Sequence, residues 1–303
     1  MDLSKPVGIA IAGPGGYAVH EDALARGIAR LEAAGHLVHN YYDPAQKYQR
    51  FAGTDASRLA QLNAAAEDPD VQVVIALRGS YGMSRLLPYI DYRKMADSGK
   101  LFVGYSDFTA FQTALMRATG RISFAGPMIC DDFIRDDPVD YTLAQFWDCL
   151  RGPVHTVHGS GENNPSVDVQ GKLWGGNLAM LAHVVGTPYF ANFDDGILFL
   201  EDIGEHPYKV ERMVLQLLHA GALDGQQAIV LGDFGGYRLS DADNGYNFDE
   251  MLAFLRQRLP MPILTGLPFG HIKARCTLPF GATARLQSAD GSFTLTLTDY
   301  PTL

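Results

Sequence analysis

Four short segments carry side chains from which an acyl-transfer centre could be assembled. In Val103-Gly104-Tyr105-Ser106-Asp107-Phe108-Thr109-Ala110 an apolar run stops at Gly104, and a helical pattern starts just after Ser106. A serine at such a strand-to-helix corner has its hydroxyl at the carboxyl edge of the sheet, where the first helical N–H groups can face a developing oxyanion. The same position suits a helix cap, the commoner use of Ser or Asp there. Phe108 stands where a G-x-S-x-G elbow would have its second glycine, so the α/β-hydrolase motif is not met. Upstream, Arg78-Gly79-Ser80-Tyr81-Gly82 follows the apolar run 71–77 and puts a glycine loop on the same sheet edge. Its N–H groups either help to hold a substrate carbonyl oxygen or simply make a tight turn.

The second half supplies an acid and a base. Leu198-Phe199-Leu200-Glu201-Asp202-Ile203-Gly204-Glu205 places three carboxylates at the end of an apolar run. Glu205 falls nearest the helix that follows Pro207 and reads as its cap, whereas Glu201 adjoins the strand and reads as a partly buried functional acid. Phe269-Gly270-His271 follows the apolar segment 263–267 and puts an imidazole beside a glycine at a strand end. A neutral imidazole can take a serine proton near pH 7 and return it to a leaving amine, provided that a carboxylate holds its tautomer.

These segments must be positioned by alternating strands and helices. The apolar run 7–12, the turn Gly13-Pro14-Gly15-Gly16, a helical pattern through Leu24, Ile28 and Leu31, a strand at 36–42, a helix at 57–67 and strands at 71–77 and 101–105 imply a parallel sheet with helices on its faces. Residues 151–171 turn to Gly, Pro, Ser, Asn and His and read as an exposed connection between domains. Beyond them lie a helix near 177–185, a strand at 196–200 and an amphipathic helix with Val210, Met213, Val214, Leu217 and Leu218 on one face. The alternating stretches 283–287 and 293–298 flank Asp290-Gly291, a hairpin signal. The expectation is an α/β protein. Its N-terminal domain, 1–150, is a doubly wound, mostly parallel Rossmann or flavodoxin-like sheet carrying the nucleophile; 151–171 is a linker; 172–303 is a mixed α/β domain rich in β hairpins that carries the acid and the histidine.

Composition removes several functions. The net charge of −10 argues against nucleic acid, which is bound through clustered Lys and Arg. Cys130, Cys149 and Cys276 are odd in number and far apart, so neither a disulfide framework nor a zinc site is indicated. His36 and His39, like His155 and His158, have no helix-borne partner with an acid, and no metal or other cofactor is expected. The start Met1-Asp2-Leu3-Ser4-Lys5-Pro6 lacks a signal-peptide pattern and no apolar stretch could span a bilayer, so the expected location is cytoplasmic, away from membranes. Gly13-Pro14-Gly15-Gly16-Tyr17-Ala18 fits G-x-G-x-x-G/A, with Asp43 near the end of the next strand. Asp43 lies farther on than the usual spacing of about 20 residues and Pro14 lacks an N–H, so the segment reads as a sharp turn. An NAD-linked oxidoreductase or a nucleotide-binding protein is the alternative that it leaves open.

Taken in order, the segments resemble the LD-carboxypeptidase family, the serine peptidases of murein recycling. The resemblance runs through residues 78–82 with Ser84-Arg85-Leu86-Leu87-Pro88, through 104–110, Ser123-Phe124-Ala125-Gly126-Pro127-Met128, Leu173-Trp174-Gly175-Gly176-Asn177-Leu178, Leu200-Glu201-Asp202-Ile203, and Gly270-His271 with Thr277-Leu278-Pro279. It implies a triad of Ser106 as nucleophile, His271 as general base and Glu201 as its orienting acid. It further implies an oxyanion site from the N–H of Asp107 and one N–H of the loop that holds Gly79, Tyr81 and Gly82. The implied substrate is a murein tetrapeptide, cut between the L-centre of meso-diaminopimelate and D-alanine, with Arg78 and Arg85 as candidates to grip the terminal carboxylate. The implied assembly is a homodimer. Ser80 stands where the family more often has glycine, and a positive φ there would strain the loop. The family's microcin-immunity branch, which cleaves peptidyl or aminoacyl nucleotides, is the alternative among hydrolases.

Overall fold

The apolar runs of the first half become the centre of a parallel sheet. In this computed structural model, which describes residues 5–303, β1 (Gly8–Ala12), β2 (Leu37–Asn40), β3 (Val73–Ala76), β4 (Leu101–Gly104) and β5 (Ser123–Ala125) run parallel in the order β5-β4-β3-β1-β2. That is the flavodoxin-like order, which puts a crevice at the carboxyl ends of β1 and β3. Residues 1–4 of the amino-terminal segment read for a leader lie outside the described residues. Strands β1, β3 and β4 are buried along their whole length, which is why they read as unbroken apolar runs instead of alternating ones. The connecting helices α1 (Glu21–Ala33), α2 (Asp55–Glu67), α3 (Met83–Leu86), α4 (Tyr92–Asp97), α5 (Thr109–Thr119) and α6 (Asp140–Arg151) cover the two faces.

The second sheet is mixed. Strands β6 (His155–Ser160), β7 (Val167–Asn177), β8 (Gly196–Glu201), β9 (Ala228–Leu231), β10 (Ile263–Thr265), β12 (Thr283–Ala289) and β13 (Ser292–Thr298) lie in the order β10-β9-β8-β7-β12-β13-β6. Its parallel part, β7 to β10, is covered by α7 (Leu178–Val184), α8 (Pro207–His219) and α9 (Phe248–Arg258), and its antiparallel part contains the expected hairpin, with Ala289 opposite Ser292 across the turn. Phe102, Phe108 and Phe111 of the first sheet's layers share one continuous buried cluster with Trp174, Leu178 and Phe199 of the second. The two sheets are thus welded by apolar packing, and side chains at their facing carboxyl ends are held at fixed separation.

Two features correct the expected organisation. Residues 151–171 are not an exposed connection, because β6 and the start of β7 lie inside them, with His155 and Val157 buried. The small residues that suggested a linker are demanded by close packing: at Gly159 a Cβ would come within 2.3 Å of the Phe293 ring. The second correction is β11 (Leu278–Phe280), which leaves the second half and pairs antiparallel with β5, adding an edge strand to the first sheet.

Candidate active site

Ser106 lies just beyond β4, where the chain turns into α5 through one 3-10 turn. Its φ is +60°, a left-handed conformation that costs a non-glycine residue about 1–3 kcal/mol and occurs where the surroundings impose it. Here the imposing neighbour is the loop after β3. A Cβ at Gly79 would stand 2.9 Å from Ser106 Cβ and 3.1 Å from its Oγ, so only glycine fits against the Ser106 corner. The corner and the loop are also tied through Asp107, whose buried Oδ2 accepts the Met83 N–H at 2.8 Å. Burial pushes the Asp107 carboxyl up to about 6, against the opposing pull of the Met83 and Gly82 N–H groups. The sequence suggested the backbone of Asp107 as a donor; its side chain has this separate, structural task.

Across the crevice, β8 ends at Glu201, which is fully buried, and the loop after β10 brings in His271. Glu201 Oε2 lies 2.7 Å from His271 Nδ1, and His271 Nε2 lies 3.1 Å from Ser106 Oγ. With the carboxylate accepting from Nδ1–H, Nε2 is left to accept the serine hydroxyl. Burial lowers the proton affinity of His271, but the hydrogen bond and charge of Glu201 outweigh it, and the imidazole ends above its ordinary 6.5. The ring is also packed edge-on against Tyr105, with centroids 5.0 Å apart. Tyr105 in turn donates to Asp131 Oδ2 at 2.9 Å and lies under the Arg275 guanidinium, 4.2 Å from it.

The other oxygen of Glu201 is held by a residue that carried no expected role. Asn177, at the end of β7, donates from Nδ2 to Glu201 Oε1 at 3.2 Å and to Asp202 Oδ1 at 3.1 Å, while its backbone N–H donates to Thr109 Oγ1 on α5 at 3.1 Å. One buried amide thus joins both carboxylates to the helix that follows Ser106. Burial, helped by the adjacent charge of Glu201, pushes Asp202 up to about 6. Asn177 falls in the quoted Gly-Gly-Asn at the end of an apolar run, the same strand-end signal that singled out Glu201, but an amide does not titrate and carries no chemical flag. Tyr105, which supports the imidazole, likewise stood inside a quoted motif without a role.

Other expected residues have different partners. Arg85 pairs with Asp55 at 2.7 Å and lies over the Phe51 ring, and Arg78 donates to the Tyr17 carbonyl at 3.3 Å. Tyr81 is 40% exposed and leans on Phe51. Ser80 has a φ of +73°, so the positive angle considered for that position is realised. The dinucleotide reading of the Gly13 turn is overturned. Gly13 N–H donates to Gln61 Oε1, Gly16 N–H donates to the Gly79 carbonyl, and Arg58 caps the Pro14 carbonyl, so the turn's polar groups face protein. A Cβ at Gly15 would come within 2.4 Å of the Gly79 carbonyl oxygen, so the glycine serves the packing of two loops, and α1 begins only at Glu21 with two acids in its first turn, which opposes an anion there. Among the described residues no group of three or more His, Cys, Asp or Glu could hold a metal ion, and no helix is long and apolar enough to cross a membrane.

Comparison with known proteins agrees with this arrangement of two sheets around one crevice. The LD-carboxypeptidase N-terminal domain model matches residues 9–126, and the C-terminal domain model matches 170–286. The crystal structure of muramoyltetrapeptide carboxypeptidase from Oxalobacter formigenes is 51% identical, with a TM-score of 0.94 over 98% of this chain and 100% of that one. A murein tetrapeptide carboxypeptidase of Pseudomonas aeruginosa is 30% identical over 89% of this chain and 90% of its own length. The microcin C7 self-immunity protein is 23% identical, with a TM-score of 0.88 over 100% of this chain and 98% of that one, and shares the fold. With both domain models matched in order and whole-length relatives on either side of that match, the chain belongs to the LD-carboxypeptidase family.

Proposed function

We propose that this chain is a serine carboxypeptidase that removes the terminal D-alanine from murein tetrapeptides by cutting the LD bond after meso-diaminopimelate. The observation that carries the reading is the continuous relay from Glu201 through His271 to Ser106, at 2.7 and 3.1 Å, between two sheets that share one core. Ser106 Oγ attacks the scissile carbonyl carbon while its proton passes to His271 Nε2, and Glu201 stabilises the imidazolium. The oxyanion rests on N–H groups of Asp107 and of the loop from Gly79 to Gly82. As the C–N bond breaks, the imidazolium gives its proton to the amine of D-alanine. Water then loses a proton to the same nitrogen and attacks the acyl carbon, and Ser106 recovers its hydrogen as the tripeptide leaves. The same reading divides the work between an N-terminal domain bearing the nucleophile and a C-terminal one bearing the acid and base, in a cytoplasmic homodimer that serves peptidoglycan recycling.

The test is D-alanine release from murein tetrapeptide, without added metal or nucleotide, beside a DD-linked pentapeptide and an aminoacyl nucleotide. Release confined to the LD bond is expected, with a loss of about 10^5- to 10^6-fold in kcat for Ser106→Ala. Cleavage of the nucleotide alone by well-folded protein rejects the reading.

A further inference from the structure

Most cations near Ser106 have partners. Arg58 is buried and donates to the Gly82 carbonyl at 2.9 Å, Arg85 is paired with Asp55, Arg78 donates to a backbone carbonyl, and Arg275 is paired with Asp132. Arg50 differs from them. It is exposed and, among the described residues, has no acidic partner; its Nη2 donates to Ser80 Oγ at 2.9 Å, and its guanidinium stands 5.9 Å from the Tyr81 ring centroid.

The backbone holds Arg50 in place. Tyr48 and Phe51 exchange N–H···O=C bonds at 3.2 and 2.9 Å, which makes 48–51 a tight turn with Gln49 and Arg50 at its tip. Phe51 is buried under the guanidinium groups of Arg58 and Arg85, and the Ala52 N–H donates to the Gly15 carbonyl, so the turn is anchored on its inner side. Gln49, at φ +53°, and Ser80, at φ +73°, are both non-glycine residues in the left-handed region, on two loops that meet at the Arg50–Ser80 bond. Strain retained on two touching loops beside a nucleophile is the pattern of a preorganised site. The reach allows it. Ser80 follows Gly79, which faces Ser106, so the path through Gly79 and Ser80 keeps a guanidinium bonded to Ser80 Oγ within at most about 14 Å of Ser106 Oγ. The carboxylate of a C-terminal leaving residue lies about 4–5 Å beyond the carbonyl carbon under attack, and a charge-assisted bond spans about 2.8 Å more.

We propose that Arg50, oriented by the Ser80 hydroxyl, binds the free carboxylate of the substrate's C-terminal residue and so restricts the site to chain ends. This rests on the carboxypeptidase reading. Lys273, exposed two residues after His271, is the competing cation, but it lacks the planar fork and, among the described residues, any side-chain hydrogen bond or ion pair that would orient it. The test uses full-length Ser106→Ala protein titrated with the tetrapeptide and with its C-terminal carboxamide, together with turnover of the tetrapeptide by the protein with Ser106 intact. The free acid should bind at least tenfold tighter than the amide. Arg50→Ala should weaken the acid roughly 10- to 100-fold, down to the level of the amide, and leave the amide within twofold. Ser80→Gly should give an intermediate loss, and in turnover Arg50→Ala should raise KM in the same proportion with kcat nearly kept. Equal affinity for acid and amide at the outset, equal weakening of both by Arg50→Ala, or loss of the discrimination in Lys273→Ala instead, overturns the proposal. Failure of the broader reading looks different: the protein with Ser106 intact releases no D-alanine, whatever the titrations give.

Discussion

The two walls of the crevice are built by different physics. On the first sheet's side, position comes from sterics and backbone: a serine at φ +60°, a glycine whose missing Cβ leaves room for it, and a buried aspartate that ties the two segments together. On the second sheet's side, position comes from buried polar side chains: a carboxylate with no exposure, an amide bridging it to a second carboxylate, and an imidazole packed against a tyrosine. The first wall stores strain and the second stores desolvated charge. If Ser106 and His271 act as proposed, substitutions on the two sides should therefore differ in kind: small steric changes damage the Ser106 side, the nucleophile wall, whereas changes of charge or of hydrogen bonding damage the His271 side, the base wall, and leave a pH signature.

The largest effect that sharpens this contrast is Glu201→Gln. It keeps the volume but removes the charge that holds the tautomer of His271, and kcat should fall by about 10^4-fold. In the proposed mechanism the neutral imidazole is the base, so activity in the parent should be lost as pH falls through a value above 6.5. Without Glu201 burial is no longer outweighed, and the acid limb of kcat/KM should move to lower pH. The linkage has a matching sign. The folded-state affinity is raised, so the pair's contribution to stability is full below the ordinary histidine value and is lost as pH rises through the folded one. A pH–rate profile of Glu201→Gln with an unmoved acid limb would assign that limb to another group.

On the other wall, Gly79→Ala should cost roughly 10^2-fold in kcat, because its Cβ would have to displace the Ser106 side chain by some tenths of an ångström or more. Here the acid limb should stay where it is. A shift of the limb in Gly79→Ala would mean that the two walls are not independent, and the comparison would fail at that point.

How much of this was legible before folding follows the same division. Ser106, Gly79 and His271 stand at strand ends next to glycines, and strand ends and glycines are visible in a sequence because hydrophobic period and backbone freedom are local properties. The parallel character of the first sheet, though not its strand order, was legible for the same reason. Asn177 was not, because its function is to satisfy a buried carboxylate that comes from a strand 24 residues later in the chain. The strand β6 was hidden by glycines that serve close packing, and β11 was hidden because a three-residue strand that crosses between sheets has no periodicity to read. Arg85 and Arg78 were candidates for the substrate carboxylate by their charge, while their partners in the fold, Asp55 and the Tyr17 carbonyl, lie 30 and 61 residues away and could not be read.

Asn177→Ala probes the base wall without touching a titrating atom. It leaves Glu201 Oε1 and Asp202 Oδ1 without the shared donor and removes the side-chain cap of α7, so stability should drop by about 1–3 kcal/mol. Activity should fall about tenfold, since His271 keeps its contact with Glu201 while the carboxylate is less tightly oriented. Denaturant unfolding and steady-state rates on one preparation give both numbers, and an unchanged stability would show that water replaces the amide at no cost.

The smallest effect is the most direct test of stored strain. Ser106→Ala and Ser106→Gly both delete the proposed nucleophile and should be equally inactive, yet they differ at the backbone. Alanine retains the Cβ that makes φ +60° unfavourable, whereas glycine adopts that angle without penalty. Against this, glycine gains freedom in the unfolded chain, which offsets part of the advantage. The left-handed penalty for a Cβ, about 1–2 kcal/mol, exceeds the usual glycine cost of about 0.5–1 kcal/mol, so Ser106→Gly should be the more stable variant by up to about 1 kcal/mol. Paired denaturation midpoints resolve such a difference because the two proteins share every other contact. If alanine proves the more stable, the corner relaxes when the hydroxyl is removed, and the nucleophile wall is held by the Ser106–His271 hydrogen bond and not by its backbone.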